Sequence, residues 1–288
     1  MLKQRIITAV VLAPLAIAAI FFLSLDYLAA ILLAVMAIGA WEWGPLMGFD
    51  TTRRRIAFVG ATAIAISAVW YVLPPQSLWS IDGSINPLAL NILYGSAAWW
   101  TICIFMIFKY PRYSSFWTSH RSIRGVFGLI TLVPTWLAFL ILRSNEHNLN
   151  EYHGTYLILL LFAFVWCADI GAYFAGKKFG KNKLMPNVSP GKTIEGFIGG
   201  NVAASLVAII SGVIFAWSGQ QILLAVALAL LISTVSVVGD LTESMLKRQA
   251  GVKDSGSILP GHGGILDRID SLTATAPIFS LFFVFFGW

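Results

Sequence analysis

The sequence predicts an all-α polytopic membrane protein with about nine transmembrane helices, and three observations lead to this fold class. The 288 residues are 58% hydrophobic and only 11% charged, with a mean hydropathy of +0.81, whereas soluble domains carry roughly 25% charged residues. Apolar runs long enough to cross a bilayer as a helix recur along the chain. Basic residues cluster in alternate connecting segments. Lipid is therefore the predicted solvent for most of the protein surface.

The apolar runs define one integral-membrane domain over residues 1–288. The first five spans lie within 1–153 and carry few polar residues, whereas the last four lie within 154–288, together with the motifs described below. A basic start precedes the first run, as in a signal peptide, but the run is longer than the apolar part of such a peptide and a second span follows at once. The predicted spans are 6–24, 27–48, 56–73, 88–108, 125–142, 154–175, 196–217, 221–239 and 271–287.

The basic residues predict the orientation of these spans. If the N-terminus is cytoplasmic and the C-terminus lies on the opposite side, every one of the 19 Lys and Arg residues except Arg143 falls in a cytoplasmic segment. This asymmetry is what the positive-inside rule describes. The net charge of +6 therefore reflects topology and attraction to anionic head groups. Nucleic acid is not a predicted partner, because no soluble basic domain is present to bind it.

The fourth cytoplasmic segment contains the run "SPGKTIEG" at residues 189–196. We predict that Ser189, Pro190 and Gly191 form a turn that exposes backbone amides beside Lys192, just before the seventh span. Free amides and the positive end of a helix dipole favour an anion at such a place. Glu195 has two interpretations, as a residue of this site or as a cap of the helix start.

The last cytoplasmic segment has a more complex chemistry. An eighth helix that continues beyond its span would place four polar residues on one face, and two further aspartates share a face at the start of the ninth span. Converging carboxylates among basic residues favour Mg²⁺, which takes one or two carboxylates and completes its shell with water and phosphate oxygens. The alternative is that these acids and bases only neutralise one another. The residues are Asp240, Glu243, Ser244 and Lys247, followed by Asp267 and Asp270.

The glycines of "PGHGG" at residues 260–264 separate these two groups of acids. Glycine allows a positive φ and a close approach of the backbone to a ligand. We therefore predict that this loop forms a nest of N–H groups for a phosphate oxygen.

Three features outside the motifs have two interpretations each. Asp169 lies within the sixth span, where a carboxylate either lines the functional cavity or pairs with a neighbouring helix. Glu42 lies between Trp41 and Trp43 and is interpreted mainly as a structural or interfacial residue. The glycine spacing at 196 and 200 allows close helix contact, either inside the chain or in a homodimer.

The runs "SMLKR" at 244–248, "KD" at 253–254 and "LPGHGGILDRID" at 259–270 closely resemble the signature of phosphatidate cytidylyltransferases, also called CDP-diacylglycerol synthases. The run at 189–196 is also similar to this family. The resemblance is strong over roughly 160–288 and rests mostly on hydropathy before that. It implies a multi-pass enzyme of the bacterial cytoplasmic (inner) membrane with its active site on the cytoplasmic face. The implied reaction joins CTP to phosphatidic acid with Mg²⁺, giving CDP-diacylglycerol and pyrophosphate for phospholipid biosynthesis.

The resemblance also implies roles for individual residues. Asp240 and Asp267 match the family's metal-site aspartates, and Lys192 is the third residue assigned to catalysis. No strong general base is required, because a phosphate monoester with a second pKa near 6 is largely ionised at neutral pH. Asp169, Glu195, Asp254 and Asp270 are further candidates. The predicted phosphate-binding residues are Ser189, Lys192, Lys247, Arg248, Lys253, His262 and Arg268.

Two other functions are compatible with parts of this pattern. A CTP-dependent lipid-alcohol kinase would use the same membrane site, nucleotide and metal, but would release CDP instead of pyrophosphate. A cation-coupled transporter would use the intramembrane carboxylates as an ion path. Transporter sites lie near the bilayer midplane and often between repeats, whereas the polar residues here concentrate at one face and no repeat is visible.

Overall fold

The computed structural model describes residues 2–145, 150, 152–259, 261 and 263–286, with side chains from residue 10 onward. Over this part of the chain the protein is a bundle of ten helices with one short hairpin. The helices are α1 (Leu2–Phe22), α2 (Leu25–Leu46), α3 (Thr52–Val72), α4 (Pro87–Lys109), α5 (Ser115–Thr118), α6 (Arg121–Ser144), α7 (His153–Phe179), α8 (Ile194–Ile214), α9 (Gly219–Ala250) and α10 (Leu266–Phe286). The hairpin strands are β1 (Lys183–Met185) and β2 (Ser189–Thr193).

The long helices agree with the predicted spans. Among the described residues, the eight long helices from α2 to α10, leaving out α5, are long and apolar enough to cross a membrane. The helix α1 has 21 residues, and its stretch Val10–Phe22 is apolar. The predicted fold class is confirmed. The largest departure in length is α9, which has 32 residues and so continues well beyond its predicted span, as the spacing of its polar residues requires.

The cytoplasmic segments of the predicted topology gather at one end of the bundle. Arg121 at the start of α6 approaches Asp50 after α2, with a nitrogen–oxygen distance of 3.9 Å. Trp117 of α5 donates its indole N–H to the Oε1 of Gln249, near the end of α9, at 3.1 Å. We call this end, with its segments 47–51, 110–120, 180–193 and 251–265, the motif end. At the opposite end, Gln76 donates to Asp26 at 3.0 Å.

Arg143 is the basic residue that falls outside the predicted cytoplasmic segments, and it is buried. Only 1% of the residue is exposed, and its Nε donates to the carbonyl oxygen of Ile20 at 2.8 Å. The last carbonyls of a helix have no partner within the helix, so this contact satisfies one of them at the end of α1. The arginine therefore acts as an internal link between α6 and α1.

The core of the bundle contains α6 and α10, which meet at a proline. Pro277 has no N–H and leaves the carbonyl oxygen of Thr273 without its helical partner. The hydroxyl of Thr135 on α6 lies 3.1 Å from this oxygen. The same hydroxyl also lies 2.6 Å from the carbonyl oxygen of Thr131. Neighbouring side chains commonly satisfy backbone groups freed by proline in transmembrane helices.

The backbones of α7 and α8 touch through glycines. A Cβ built on Gly200 would lie 2.8 Å from the carbonyl oxygen of Ala168, and one built on Gly196 would lie 2.9 Å from that of Ala172. The glycine spacing at 196 and 200 therefore acts inside the chain, and it gives no support to a homodimer. This contact also places Asp169, the residue after Ala168, beside the start of α8.

Candidate active site at the motif end

The run predicted to be a turn before the seventh span is a strand instead. Residues Ser189–Thr193 form β2, which pairs antiparallel with β1 in the register Met185 with Ser189 and Lys183 with Thr193. The chain reverses before this run, where the N–H of Val188 donates to the carbonyl of Met185 at 3.1 Å. The prediction of a turn at 189–191 was wrong because proline is also compatible with an edge strand, where its missing N–H need not enter the ladder.

The end of the hairpin is fixed to α8 by two side chains. Thr193 caps the helix, since its Oγ1 accepts a hydrogen bond from Gly196 N at 3.1 Å. Glu195 instead reaches back to the segment after α7, where it accepts from the backbone N–H of Lys181 at 3.1 Å and from Nδ2 of Asn182 at 2.8 Å. Glu195 is therefore neither a cap of its own helix nor a cavity residue, and it holds the hairpin that carries Lys192.

Lys192 pairs with Asp240 across the two motifs. Its Nζ lies 2.8 Å from Oδ2 of Asp240, and these side chains are 26% and 33% exposed. Asp240 also accepts from the hydroxyl of Ser244 at 3.2 Å. Burial lowers the pKa of Lys192, but Asp240, assisted by Asp169 and Asp270, more than offsets this and raises the pKa above its usual value. Lys192 is therefore a cation at neutral pH.

A second lysine–aspartate pair lies deeper. Lys247 Nζ is 2.7 Å from Oδ1 of Asp267 and 3.3 Å from Oε1 of Glu243. All three side chains are nearly buried. The contacts of Asp240 with Ser244, and of Glu243 with Lys247, confirm the predicted polar face of α9. Glu243, which was noticed only as part of that face, belongs to the charged cluster, and its spacing of four residues from Lys247 was the available signal.

One polar cavity of about 270 Å³ is lined by Asp240 of the first pair and by Lys247 and Asp267 of the second. Asp169 lines the same cavity, as one of its two interpretations predicted, and so do Asp254 and Arg268. Acidic side chains outnumber basic ones around it, so an anionic substrate would be repelled unless a cation entered as well. The lining residues are Asp169, Asp240, Lys247, Asp254, Asp267, Arg268, Asp270 and Ser271.

The glycine-rich loop adopts the predicted conformation. Gly261 and Gly263 have φ values of 77° and 83°, in the region that favours glycine. The N–H of Gly264 donates to Oδ2 of Asp267 at 2.8 Å, and the two amides that follow the loop donate to Glu42 on α2. The amide of Gly264 is therefore already used by a carboxylate of the protein, and for the rest of the loop the N–H nest for phosphate stays a prediction.

Comparison with known proteins identifies the family. The family model described as "Cytidylyltransferase family" matches residues 3–286. The chain belongs to the cytidylyltransferase family. The resemblance stated from the motifs is thereby confirmed, and it extends into the first half of this cytidylyltransferase, where the motifs gave little support.

Three relatives carry the name phosphatidate cytidylyltransferase. The protein from Pseudomonas aeruginosa is 42% identical to this cytidylyltransferase, with 100% of this chain and 99% of the relative covered. The protein from Haemophilus influenzae is 37% identical, with 99% of each chain covered. The protein from Bacillus subtilis is 34% identical, with 96% of this chain and 95% of the relative covered.

The remaining predicted phosphate-binding residues of the cytidylyltransferase differ in burial and in contact with the cavity. Ser189 is half-buried in β2, and Arg248 and Lys253 are exposed. Arg248 Nε lies 3.5 Å from the carbonyl oxygen of Val188, beside the hairpin. Arg268 is exposed and borders the cavity. His262 lies outside the described residues.

The donors around the cavity fit a magnesium ion. No three His, Cys, Asp or Glu side chains within the described ranges form a complete metal site, but Mg²⁺ needs only one or two carboxylates besides water and phosphate oxygens. Asp240 offers a carboxylate that is held by one lysine and one hydroxyl. Asp267 is more heavily engaged, because its oxygens accept from Lys247, Gly264 and Ser255.

Proposed function

We propose that this cytidylyltransferase transfers CMP from CTP to phosphatidic acid, forming CDP-diacylglycerol and pyrophosphate with the help of Mg²⁺. The printed name of the full-length relatives supports this substrate pair. The observation that carries the proposal is the pair of contacts Lys192–Asp240 and Lys247–Asp267. The first contact joins the run at 189–196 to Asp240, which lines one cavity together with Lys247 and Asp267. Such a site can receive phosphates and a cation together.

The reaction needs positioning and charge neutralisation more than proton transfer. A phosphate oxygen of phosphatidic acid forms a bond to the α-phosphorus of CTP, and the bond from that phosphorus to the bridging oxygen of the β-phosphate breaks. Pyrophosphate leaves with the electron pair. The attacking phosphate is largely ionised at pH 7, so no strong base has to remove a proton. Oriented charges supply the main stabilisation in reactions of this kind.

Asp240 and Asp267 are the proposed magnesium ligands, with Asp169, Asp254 and Asp270 as further carboxylates of the cavity. When bound, the ion would neutralise phosphate charge and withdraw electron density from the reacting phosphate. Lys192 and Lys247 pair with Asp240 and Asp267. With Mg²⁺ on the aspartates, both lysines would be available to bind phosphate oxygens. The other proposed phosphate-binding residues are Ser189, Arg248, Lys253, His262 and Arg268.

The motif end is proposed to face the cytoplasm at the bacterial inner membrane. The distribution of basic residues supports this orientation. CTP would then enter the cavity from the cytosol, and the head group of phosphatidic acid would reach it from the adjoining leaflet.

A product assay tests the proposal. Purified protein in lipid micelles is incubated with CTP labelled at the α-phosphate, phosphatidic acid and Mg²⁺. We expect the label to enter the lipid and pyrophosphate to appear in equal amount. Release of CDP with a diacylglycerol acceptor would indicate the lipid-alcohol kinase instead, and the absence of any phosphate chemistry would contradict both enzymes.

A further inference from the structure

Glu42 is a buried carboxylate in the N-terminal half that contacts the glycine-rich loop. It lies near the end of α2 and is only 2% exposed. Its Oε1 accepts from the N–H of Ile265 at 3.1 Å, and its Oε2 accepts from the N–H of Leu266 at 2.7 Å. These amides belong to the start of α10, where N–H groups have no partner within the helix. Glu42 therefore caps α10 from a different helix.

Glu42 and Asp267 hold the same loop from two sides. The N–H of Ser255 donates to Asp267 at 3.0 Å, while the hydroxyl of Ser255 donates to Oε2 of Glu42 at 3.4 Å. At the other end of the loop, Gly264 donates to Asp267 and the next two amides donate to Glu42. The loop is also closed on itself, since Leu259 N donates to Gly263 O at 2.9 Å. Both ends of the loop are thus fixed between two carboxylates.

The glycines beside Glu42 leave the space that its carboxylate occupies. A Cβ on Gly264 would collide with the Glu42 carboxylate and with the hydroxyl of Ser255. A Cβ on Gly256 would also collide with the Glu42 carboxylate. Glu42 itself is not among the residues that line the polar cavity. Its contacts are with the segment that carries Asp254, Asp267 and Arg268 into that cavity.

We propose that Glu42 is a positioning residue for cytidylyl transfer, acting through the loop 255–266 on Asp267. This inference rests on the proposed function, in which Asp267 and its neighbours carry the chemistry. A carboxylate is required because two amides and one hydroxyl converge on it, and glutamine offers only one acceptor oxygen and adds an N–H group. Without the hydrogen bonds to Glu42, the backbone amides of Ile265 and Leu266 lose their acceptor, and the first turn of α10 is no longer held against α2. A displacement of about 1 Å at a reacting centre can reduce the rate roughly 100-fold.

The first test compares Glu42→Gln with the matched control Asp50→Asn. Asp50 is an exposed carboxylate at the same end of α2, and its ion pair with Arg121 is long. In ligand-free protein, we expect Glu42→Gln to speed backbone hydrogen exchange in residues 255–266 and to leave exchange in α7 and α8 unchanged. With substrates, we expect kcat to fall roughly 10- to 100-fold while KM for CTP and for phosphatidic acid changes less than about threefold. Asp50→Asn should match the wild type in both measurements.

A second test uses the close contact between Gly264 and the Glu42 carboxylate. It remains informative if the Glu42→Gln variant fails to fold. Gly264→Ala should produce the same faster exchange and the same fall in kcat. Since both changes break one contact, the combined variant Glu42→Gln/Gly264→Ala should lose no more activity than the worse single variant. Multiplied losses, or normal exchange or normal kcat in either single variant, would overturn the inference. The exchange measurement requires no activity, so a wild-type protein that transfers no CMP would contradict the proposed function, whereas faster exchange with normal kcat would contradict the positioning role of Glu42.

Discussion

Lys192 Nζ lies 2.8 Å from Asp240 Oδ2, and this contact joins the segment before α8 to the first residue of the polar face on α9. Each motif thus supplies one charge of the pair, and Asp240 lines the cavity. In the proposed function, the aspartate would bind Mg²⁺ and the lysine would bind a phosphate oxygen. Lys247 and Asp267 form the second pair of this kind.

Asp240→Asn should separate activity from stability. We expect CMP transfer to fall roughly 100-fold or more, because a proposed metal ligand is lost. The free energy of unfolding should change by less than about 1 kcal/mol, since partly exposed ion pairs contribute little. Transfer assays and thermal melting in the same micelles measure the two quantities. Asp82→Asn, an exposed site at the opposite end of the bundle, serves as control, and equal activity of the two variants would remove Asp240 from the metal site.

The two lysines should differ in their structural importance. Lys247→Met leaves Glu243 and Asp267 nearly buried without their cation, and breaking a buried pair costs about 3–5 kcal/mol. Lys192→Met should cost less than about 1 kcal/mol, because its pair is partly exposed. Both variants should lose activity, whereas only Lys247→Met should melt at a clearly lower temperature. Equal melting temperatures of the two variants would contradict the assignment of Lys247–Asp267 as the buried pair and of Lys192–Asp240 as the partly exposed pair.

Removal of divalent metal should stop the reaction without unfolding the protein. Asp240 and Asp267 each have a lysine of the protein as partner, so we expect the helices not to depend on the ion. We expect a chelator to abolish CMP transfer, and added Mg²⁺ to restore it, while the helical signal in circular dichroism stays constant. A loss of helix on chelation would indicate a structural metal and contradict this account.

Gly200→Ala should destabilise the contact of α7 with α8. The added Cβ would lie 2.8 Å from the carbonyl oxygen of Ala168, and overpacking of this kind costs about 1–3 kcal/mol. Gly60→Ala on α3 is the matched control, since a Cβ there meets nothing within 4 Å. We expect the control to be neutral or slightly stabilising. Chemical unfolding in micelles measures both, and an unchanged Gly200→Ala would mean that the two helices are free to separate.

Local patterns allowed the prediction of most helices and of the charged residues on α9 and α10. Apolar runs define spans whatever their partners are, and the spacing of Glu243 and Lys247 follows from helix geometry alone. The resemblance assigned Asp240 and Asp267 before any contact was known. Hydropathy and helical spacing depend only on residues within one short segment, so both can be recognised in the sequence alone.

The failures concern contacts between distant segments. Nothing around "SPGKT" distinguishes an edge strand from a turn, because the deciding partner is β1. The glycine loop was predicted to bind phosphate through its amides, whereas Gly264 donates to Asp267. The two amides that follow the loop donate to Glu42, which lies more than 200 residues earlier in the chain and could not be placed there from the sequence. The two interpretations of Glu195, a site residue or a cap of its own helix, both missed its contact with the segment after α7 for the same reason. Pairings of this range depend on the packing of the whole bundle.

The burial of Arg143 has a consequence for membrane insertion. Since its guanidinium is enclosed between α6 and α1, it places no exposed positive charge on the end of the bundle that carries Asp26 and Asp82. Insertion in the reverse sense would require the translocation of every exposed lysine and arginine of the described chain, and it would return none to the cytoplasm. In the proposed orientation, with the motif end in the cytoplasm, the arginine that opposes this direction is withdrawn from the surface in the folded protein.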